Sequence, residues 1–180
     1  MVFPSTISNL KKNNNMACSI SSGRARGCKE NVGGIKNIYL VNFISDLADS
    51  TITAGVASVS GTPDAYKFEL KGAVNSFEQV GEVSRDNGSV FYNQTLTGVF
   101  PSMDASDLEE LEDLAKGNPQ ALVEDYNGNV FIAGYENGLD VQITAGSGAA
   151  MGDLNGFTIV FTGQEKKLAV GADLADFTIS

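Results

Sequence analysis

Between Ser76 and Val99 the chain reads SFEQVGEVSRDNGSVFYNQTLTGV. The Asn87-Gly88 pair at its middle is what a two-residue type I′ turn demands, because both central positions there need positive φ. A turn at this pair predicts Arg85 opposite Val90, Val83 opposite Tyr92 and Gln79 opposite Leu96. Side chains alternate across a strand, so the expected ribbon has two unlike faces. One carries Phe77, Val83, Val90, Tyr92 and Leu96 together with Gln79 and Gln94. The other carries Glu78, Glu82, Ser84, Asn93, Thr95 and Thr97, interrupted by Val80 and Phe91. A lone two-stranded ribbon is not stable in water. This one must belong to a larger sheet, within one chain or shared between chains.

The length of 180 residues is enough for one domain with a real core. No apolar run approaches the ~20 residues needed to cross a bilayer, so a soluble protein with no membrane partner is expected. Residues 1–15 (MVFPSTISNLKKNNN) lack the basic start, apolar segment and cleavage site of a signal peptide. Without secretion, the sequons at Asn87-Gly88-Ser89 and Asn93-Gln94-Thr95 carry no weight. The chain has no histidine and no tryptophan, which removes the commonest general base and the commonest metal ligand. Charge is uneven. Lys11, Lys12, Arg24, Arg26 and Lys29 against Glu30 give the first 31 residues +4, while the other seven basic and 21 acidic residues make −14. An acidic body repels phosphate, and a basic arm on it reads either as a docking element for another subunit or as a solvated tail. Cys18 and Cys28 both lie in this arm, either as a disulfide or, as is commoner for two Cys without a secretion signal, as free thiols.

Along the chain, 1–32 reads as an extended arm, Ile35–Phe43 as a buried first strand, Thr51–Val59 as a strand and Asp46–Asp49 as a turn. Ala65–Leu70 alternates like a half-buried strand, and the long hairpin follows. Asp104–Lys116 has Ala105, Leu108, Leu111, Leu114 and Ala115 three or four apart, which predicts a helix burying that face. Ser106 with Glu109 has capping-box spacing, and Gly117 and Pro119 stop the helix. Ala121–Asp125 and Asn129–Gly134 flank Asn127-Gly128, a second I′ pair. Leu139–Ala145 reads as a strand, Gly146–Gly156 as a small-residue loop and Phe157–Thr162 as a closing strand. Residues 169–180 form a tail whose Phe177-Thr178-Ile179 is a candidate edge strand. The fold class is mainly β: an antiparallel sandwich or incomplete barrel with one flanking helix and a long hairpin.

Motifs for chemistry are weak. Gly146-Ser147-Gly148 with Gly152 lacks the spacing and the following helix of a dinucleotide loop. Asp125, Asn127, Asn129 and Glu136 match four positions of a calcium loop, but Val130 stands where glycine is required; they read as turn residues. Six acids between 104 and 113 read as the solvated face of a helix. Glu78 with Glu82 reads as surface charge rather than a glycosidase pair. No catalytic residue, cofactor site or metal site is assigned, and no basic, aromatic-interleaved stripe reads nucleic-acid sequence.

Four segments carry a resemblance: SRDNG at Ser84–Gly88, FYNQTLT at Phe91–Thr97, VEDYNGNVFIAGYENGLDV at Val123–Val141 and AMGDLNGFTIVFTGQEK at Ala150–Lys166. Their text and order resemble the major tail tube proteins of tailed bacteriophages, over roughly Gly33 to Lys166; residues before Met16 depart from the pattern. The likeness implies a β domain over 33–168, of which six copies close into a ring with a continuous inner β-barrel. Rings stack into a hollow tube around a tape-measure protein, joined to other tail proteins. Viral double-stranded DNA then passes through the lumen without specific binding. It also implies no catalytic residues and no cofactor, and a virion protein made in the host bacterial cytoplasm. On that expectation Glu78, Glu82, Asn93, Thr95 and Thr97 face the lumen, and Arg24, Arg26, Lys29, Arg85, Asn87 and Gly88 meet other subunits. The rivals are another virion component, such as a head-decoration protein, and a monomeric β-sandwich binding module. The second rival normally shows exposed aromatics, and this chain has no Trp and five Tyr.

Overall fold

A computed structural model describes residues 20, 22–25, 29–45, 47, 50–70 and 74–180. The expectations for residues 1–15, for Cys18, Arg26 and Cys28, and for Asp46 and Asp49 lie outside these residues. The chain divides into two compact units, 1–30 and 31–180. In the first, the described residues are exposed and Lys29 and Glu30 lie in a turn.

The second unit holds β1 (Ile35–Val41), β2 (Ile52–Thr53), β3 (Val56–Ala57), β4 (Asp64–Glu69), β5 (Ser76–Ser84) and β6 (Ser89–Pro101). Then come α1 (Ala105–Lys116), β7 (Gln120–Asp125), β8 (Val130–Ala133), β9 (Asp140–Gly146), β10 (Gly156–Glu165), β11 (Val170–Ala172) and β12 (Thr178–Ile179). Eight strands form a curled half-barrel in the order β12-β4-β1-β7-β8-β11-β3-β2, and the order β5-β6-β10-β9 forms a second, wholly antiparallel sheet. The expected mainly β architecture with one helix is the one observed.

Two apolar layers hold it together. Between the sheets lie Ile38 and Leu40 of β1, Ala121 and Val123 of β7, Leu96 of β6, and Phe157, Ile159 and Phe161 of β10. Inside the curl of the first sheet lie Tyr39, Val41, Leu122, Ile132, Val170 and Phe177. Strand β1 thus buries alternate side chains into different layers, and so does β7. That is why IKNIYLV shows no clean alternation: a strand covered on both faces needs none. Glu124, facing β1, is buried too. It accepts hydrogen bonds from Lys36 Nζ (2.6 Å), Asn37 Nδ2 (2.7 Å) and Tyr39 Oη (2.9 Å). Burial pushes its carboxyl up, but the three donors outweigh that and hold it below the ordinary range.

Both Asn-Gly turns differ from expectation. The first hairpin closes at Ser84 and Ser89, leaving a four-residue loop, Arg85 to Gly88. Val83 therefore faces Val90, and Gln79 faces Gln94. In this loop only Gly88 has positive φ (61°), whereas I′ needs it at both central residues. The slip is two places, so each side chain keeps its expected face. The second hairpin closes at Asp125 and Asn129 around Tyr126, Asn127 and Gly128, with Gly128 at φ 82°. This is the three-residue loop that ends in a left-handed residue. Asp125 explains the choice: its carboxylate accepts the backbone N–H groups of Asn127 (2.9 Å) and Asn129 (2.7 Å), and a side chain that organises the turn replaces the tighter one. Meanwhile Thr51–Val59 is not one strand. Ala54 and Gly55 both take positive φ (53° and 86°) and fold it into the β2–β3 hairpin.

The helix is capped by Asp104, whose side chain accepts from the Ala105 N–H, and not by Ser106. Of its expected apolar face only Leu111 is buried and Leu114 half-buried; Ala105, Leu108 and Ala115 are exposed. The helix touches the core along one turn rather than along its length. Strand β10 is longer than expected and central, paired with both β6 and β9. The candidate edge strand at the C-terminus is β12, parallel to β4.

Two outcomes follow. Phe161 is fully buried between the sheets, so Phe161→Ala should cost about 3–5 kcal/mol in urea unfolding. A carboxyl whose folded pKa is depressed stabilises above its ordinary range and loses that contribution as pH falls through the folded value. Glu124→Gln should therefore destabilise by about 1–3 kcal/mol near pH 7. The gap to the parent chain should narrow on acidification, read by thermal melts across pH.

Candidate assembly surface

The outer face of the second sheet is built from the residues that point away from Leu96, Phe157, Ile159 and Phe161. Strand register groups them into rows across the sheet. Glu78, Thr95, Thr162 and Asp140 form one row; Ser76, Thr97, Val160 and Gln142 the next; Val99, Thr158 and Thr144 a third. On the other side of the first row come Val80, Asn93 and Gln164, then Glu82 and Phe91. The five residues expected on one polar face, Glu78, Glu82, Asn93, Thr95 and Thr97, do share this face. β5, β6, β9 and β10 contain no lysine or arginine at all. The face is hydroxyl, amide and carboxylate with a few aliphatic residues. A chain of hydrogen bonds crosses three strands: Asn93 Nδ2 donates to Glu82 Oε1 (2.5 Å), and Gln164 Nε2 donates to Asn93 Oδ1 (3.1 Å).

The sheet has two edges, β5 and β9, each with one strand neighbour. A long, extended edge presents a row of unpaired backbone groups, a template for another strand. The β5–β6 hairpin also outruns the sheet. The last β6–β10 pair is Tyr92 with Glu165, so the rungs from Glu82 to Ser84 have only Phe91 to Ser89 beside them. Tyr92 covers Gly81; a Cβ on that glycine would meet the ring at 3.2 Å. Arg85, Asn87 and Gly88 lie in the loop at this tip and are exposed. Arg24 and Lys29 belong to the separate unit 1–30.

Four residues that position this surface escaped the sequence reading. Glu165, 2% exposed, accepts the N–H groups of Glu136 and Asn137 (2.9–3.2 Å). Burial pushes its carboxyl up, against the pull of those N–H groups. Gln94 Oε1 accepts the Gly134 N–H at 2.9 Å, and Asn137 Nδ2 donates to Gln164 O at 2.7 Å. These bonds fix the 134–139 loop, which delivers β9 to the sheet edge. Gln79 acts similarly, accepting the Ala169 N–H at 2.6 Å. The signal was present: Gln79 and Gln94 are amides on the apolar face of the ribbon, and a buried amide needs partners. A polar notch of about 690 Å³ opens beside the start of β9, with Asn93, Gln94, Asn137, Asp140 and Gln164 in its wall.

Asp125, Asn127 and Asn129 are tied up in their own turn, and Asn127 also exchanges two hydrogen bonds with the Val32 backbone (3.0 and 2.8 Å). Among the described residues no three of His, Cys, Asp and Glu are grouped to hold a metal ion. No helix among them is long and apolar enough to cross a membrane. No protein-family model matches the chain, and no curated protein or solved structure matches it.

The projecting rungs should be the least protected part of the second sheet. In dilute chain, amides of Glu82–Ser84 and Ser89–Phe91 should exchange at least about tenfold faster than those of Asn93–Thr97, which are paired on both sides. Hydrogen-exchange mass spectrometry reads this directly.

Proposed function

We propose that this protein is the building block of a bacteriophage tail tube: six copies in a ring, and rings stacked around a lumen through which DNA passes. The observation that carries the reading is the second sheet, which has two unpaired edges and an outer face free of lysine and arginine. The family likeness of the sequence supplies the ring and the tube, and the geometry supports them in three ways.

First, strand direction. The sheet alternates throughout, so β5 and β9 run in opposite directions. Placing β9 of one copy beside β5 of the next extends the antiparallel ladder without a break, and rotation about one axis closes it. Closure removes both edges, which is the usual remedy for an exposed ladder. Second, the faces. The core of each copy lies on one side of this sheet, so its polar face is the one left to line a channel, with Glu78, Glu82, Asn93, Thr95 and Thr97 on it. Third, charge. Non-specific affinity for DNA comes from Lys and Arg neutralising phosphates. Carboxylates, hydroxyls and amides offer none, and the carboxylate potential reaches about 10 Å at moderate salt. Such a wall lets a polyanion slide. Tape-measure and other tail proteins are the partners this role requires, and the virion is its location.

Negative-stain images of concentrated protein should contain rings or stacked tubes; a monodisperse monomer at every concentration would sink the reading. The lumen assignment has its own check. Glu78→Lys with Glu82→Lys should leave assembly intact and make tubes retain DNA, with retention falling steeply as salt rises. Loss of stacking without DNA retention would put these residues between rings instead.

A further inference from the structure

Four Asn-Gly pairs occur in the chain, at Asn87, Asn127, Asn137 and Asn155. In such a pair the carboxamide carbon can close onto the following backbone nitrogen, because glycine has no Cβ in the way. The four differ in how firmly the reacting groups are held. The Asn127 carboxamide is tied at both ends: Oδ1 accepts the Val32 N–H at 3.0 Å, and Nδ2 donates to Val32 O at 2.8 Å and to Asp125 Oδ2 at 3.2 Å. The Gly128 N–H donates to Asp125 O at 3.1 Å. Asn137 Nδ2 donates to Gln164 O at 2.7 Å, and the N–H of the buried Gly138 donates to Gly134 O at 3.0 Å. Gly156 is buried as the first residue of β10, in register with Pro101 and Gly146, and the Asn155 carbonyl accepts the Ser102 N–H at 2.8 Å. Nothing of the kind holds Asn87. It and Gly88 are exposed in the β5–β6 tip loop, and among the described residues neither the Asn87 carboxamide nor the Gly88 N–H has a hydrogen-bond partner. The bond made there is a long one, from the Asn87 N–H to Ser84 Oγ at 3.4 Å.

We infer that Asn87 is a site of covalent modification: of the four pairs, this is the one the folded chain deamidates by itself, with water as the only other reactant. The Gly88 nitrogen attacks Asn87 Cγ and an N–C bond forms. The carboxamide nitrogen leaves as ammonia, taking up the proton that the Gly88 nitrogen gives up. Water then opens the cyclic imide at either carbonyl. One opening leaves an ordinary aspartyl residue; the other leaves an isoaspartyl link, which adds a carbon to the backbone. Nothing is oxidised or reduced. Ring closure needs the Asn87 backbone and side chain to rotate together. A loop with both groups free allows this, whereas the other three pairs must first open locally. The product changes the tip. Arg85 and Asp86 cancel in the loop as synthesised, and the new carboxylate leaves it net negative. The nine β5–β6 rungs lie outside the loop, so the ribbon stays paired. The tip thus carries a one-way change of charge that accumulates with time, and a partner meeting it encounters two kinds of chain. None of this depends on the tube reading; a chain that never assembles ages at the same place.

The test incubates dilute full-length chain in mildly alkaline buffer, where the Gly88 amide proton is lost more readily, beside a sample unfolded in guanidinium chloride. Trypsin sorts the sites: Asp86–Lys116 carries Asn87, and Gly117–Lys166 carries the other three. Tandem mass spectrometry then locates each exchange of NH for O. In the folded chain Asn87 should react at least about tenfold faster than any of the other three, while in the unfolded chain all four should react at similar rates. The product at this position should elute as two isomers of equal mass. Isoelectric focusing should show the parent chain drifting to a more acidic band, and Asn87→Gln, whose longer side chain closes an imide far more slowly, keeping its place. Equal rates at the four pairs in the folded chain would overturn the inference. So would an Asn87 that stays intact when folded yet reacts when unfolded, or an Asn87→Gln chain that drifts as fast as its parent. A single isomer would mean direct hydrolysis by water and would overturn the cyclic route.

Discussion

The pairing of β6 with β10 is the constraint on which the rest of the second sheet depends. Ten consecutive rungs join them, from Pro101–Gly156 to Tyr92–Glu165. Alternation along both strands puts Leu96, Phe157, Ile159 and Phe161 on one side and Thr95, Thr97, Val160 and Thr162 on the other. A one-residue slip would exchange those sets, sending aromatic rings to water and hydroxyls into the core. The register is therefore locked by solvation rather than by the turn. Once it is locked, β5 and β9 can only be edges, and the polar face can only look outward. The same geometry that builds the core leaves the surface through which copies would join.

Polar side chains then decide where the loops go. Glu165, Gln94 and Gln79 reach from the second sheet to the backbone of segments 134–137 and 169. Gln120 does the same in the first sheet: its Oε1 accepts the Ile44 N–H (3.1 Å) and its Nε2 donates to Tyr135 O (3.2 Å). Gln94, Gln120 and Glu165 are buried and Gln79 half-buried, and the oxygens that make these bonds would cost free energy if left unpaired. They act as fixed struts between loop and sheet. The start of β9 is set by two of them, so the edge offered to another strand is held in place by groups on its own β6 and β10.

Much of this was legible in the residues, for identifiable reasons. Alternation over Ser76–Val99 identified both hairpin strands and both faces, because side-chain period depends only on the local backbone. The helix was legible from its spacing and its acidic start. What failed was whatever depends on competition or on distant partners. Asn87-Gly88 and Asn127-Gly128 suit an I′ turn in isolation, yet longer loops won. At Asn127 the winner was an aspartate two residues upstream that satisfies the turn's N–H groups. At Asn87 the two-place slip was invisible to a pattern of period two. The helix was expected to bury five positions; its periodicity says which residues share a face, not how much of that face another element covers. Strand β10 read as the last of the sheet, because the order of strands is a long-range property that no window of ten residues contains.

The lack of basic residues in the second sheet has a practical consequence for anyone handling the protein. Trypsin cleaves after lysine and arginine. Between Lys71 and Lys166 the chain offers it only Arg85 and Lys116, one in the hairpin loop and one at the end of α1. A nick after Arg85 cuts the loop but leaves nine rungs joining β5 to β6. The stretch from Gly117 to Lys166, with β7 through β10, survives digestion as a single long peptide. Accessibility of Arg85 to the protease therefore becomes a built-in gauge of whether the tip of the ribbon is free or covered, and it needs no label.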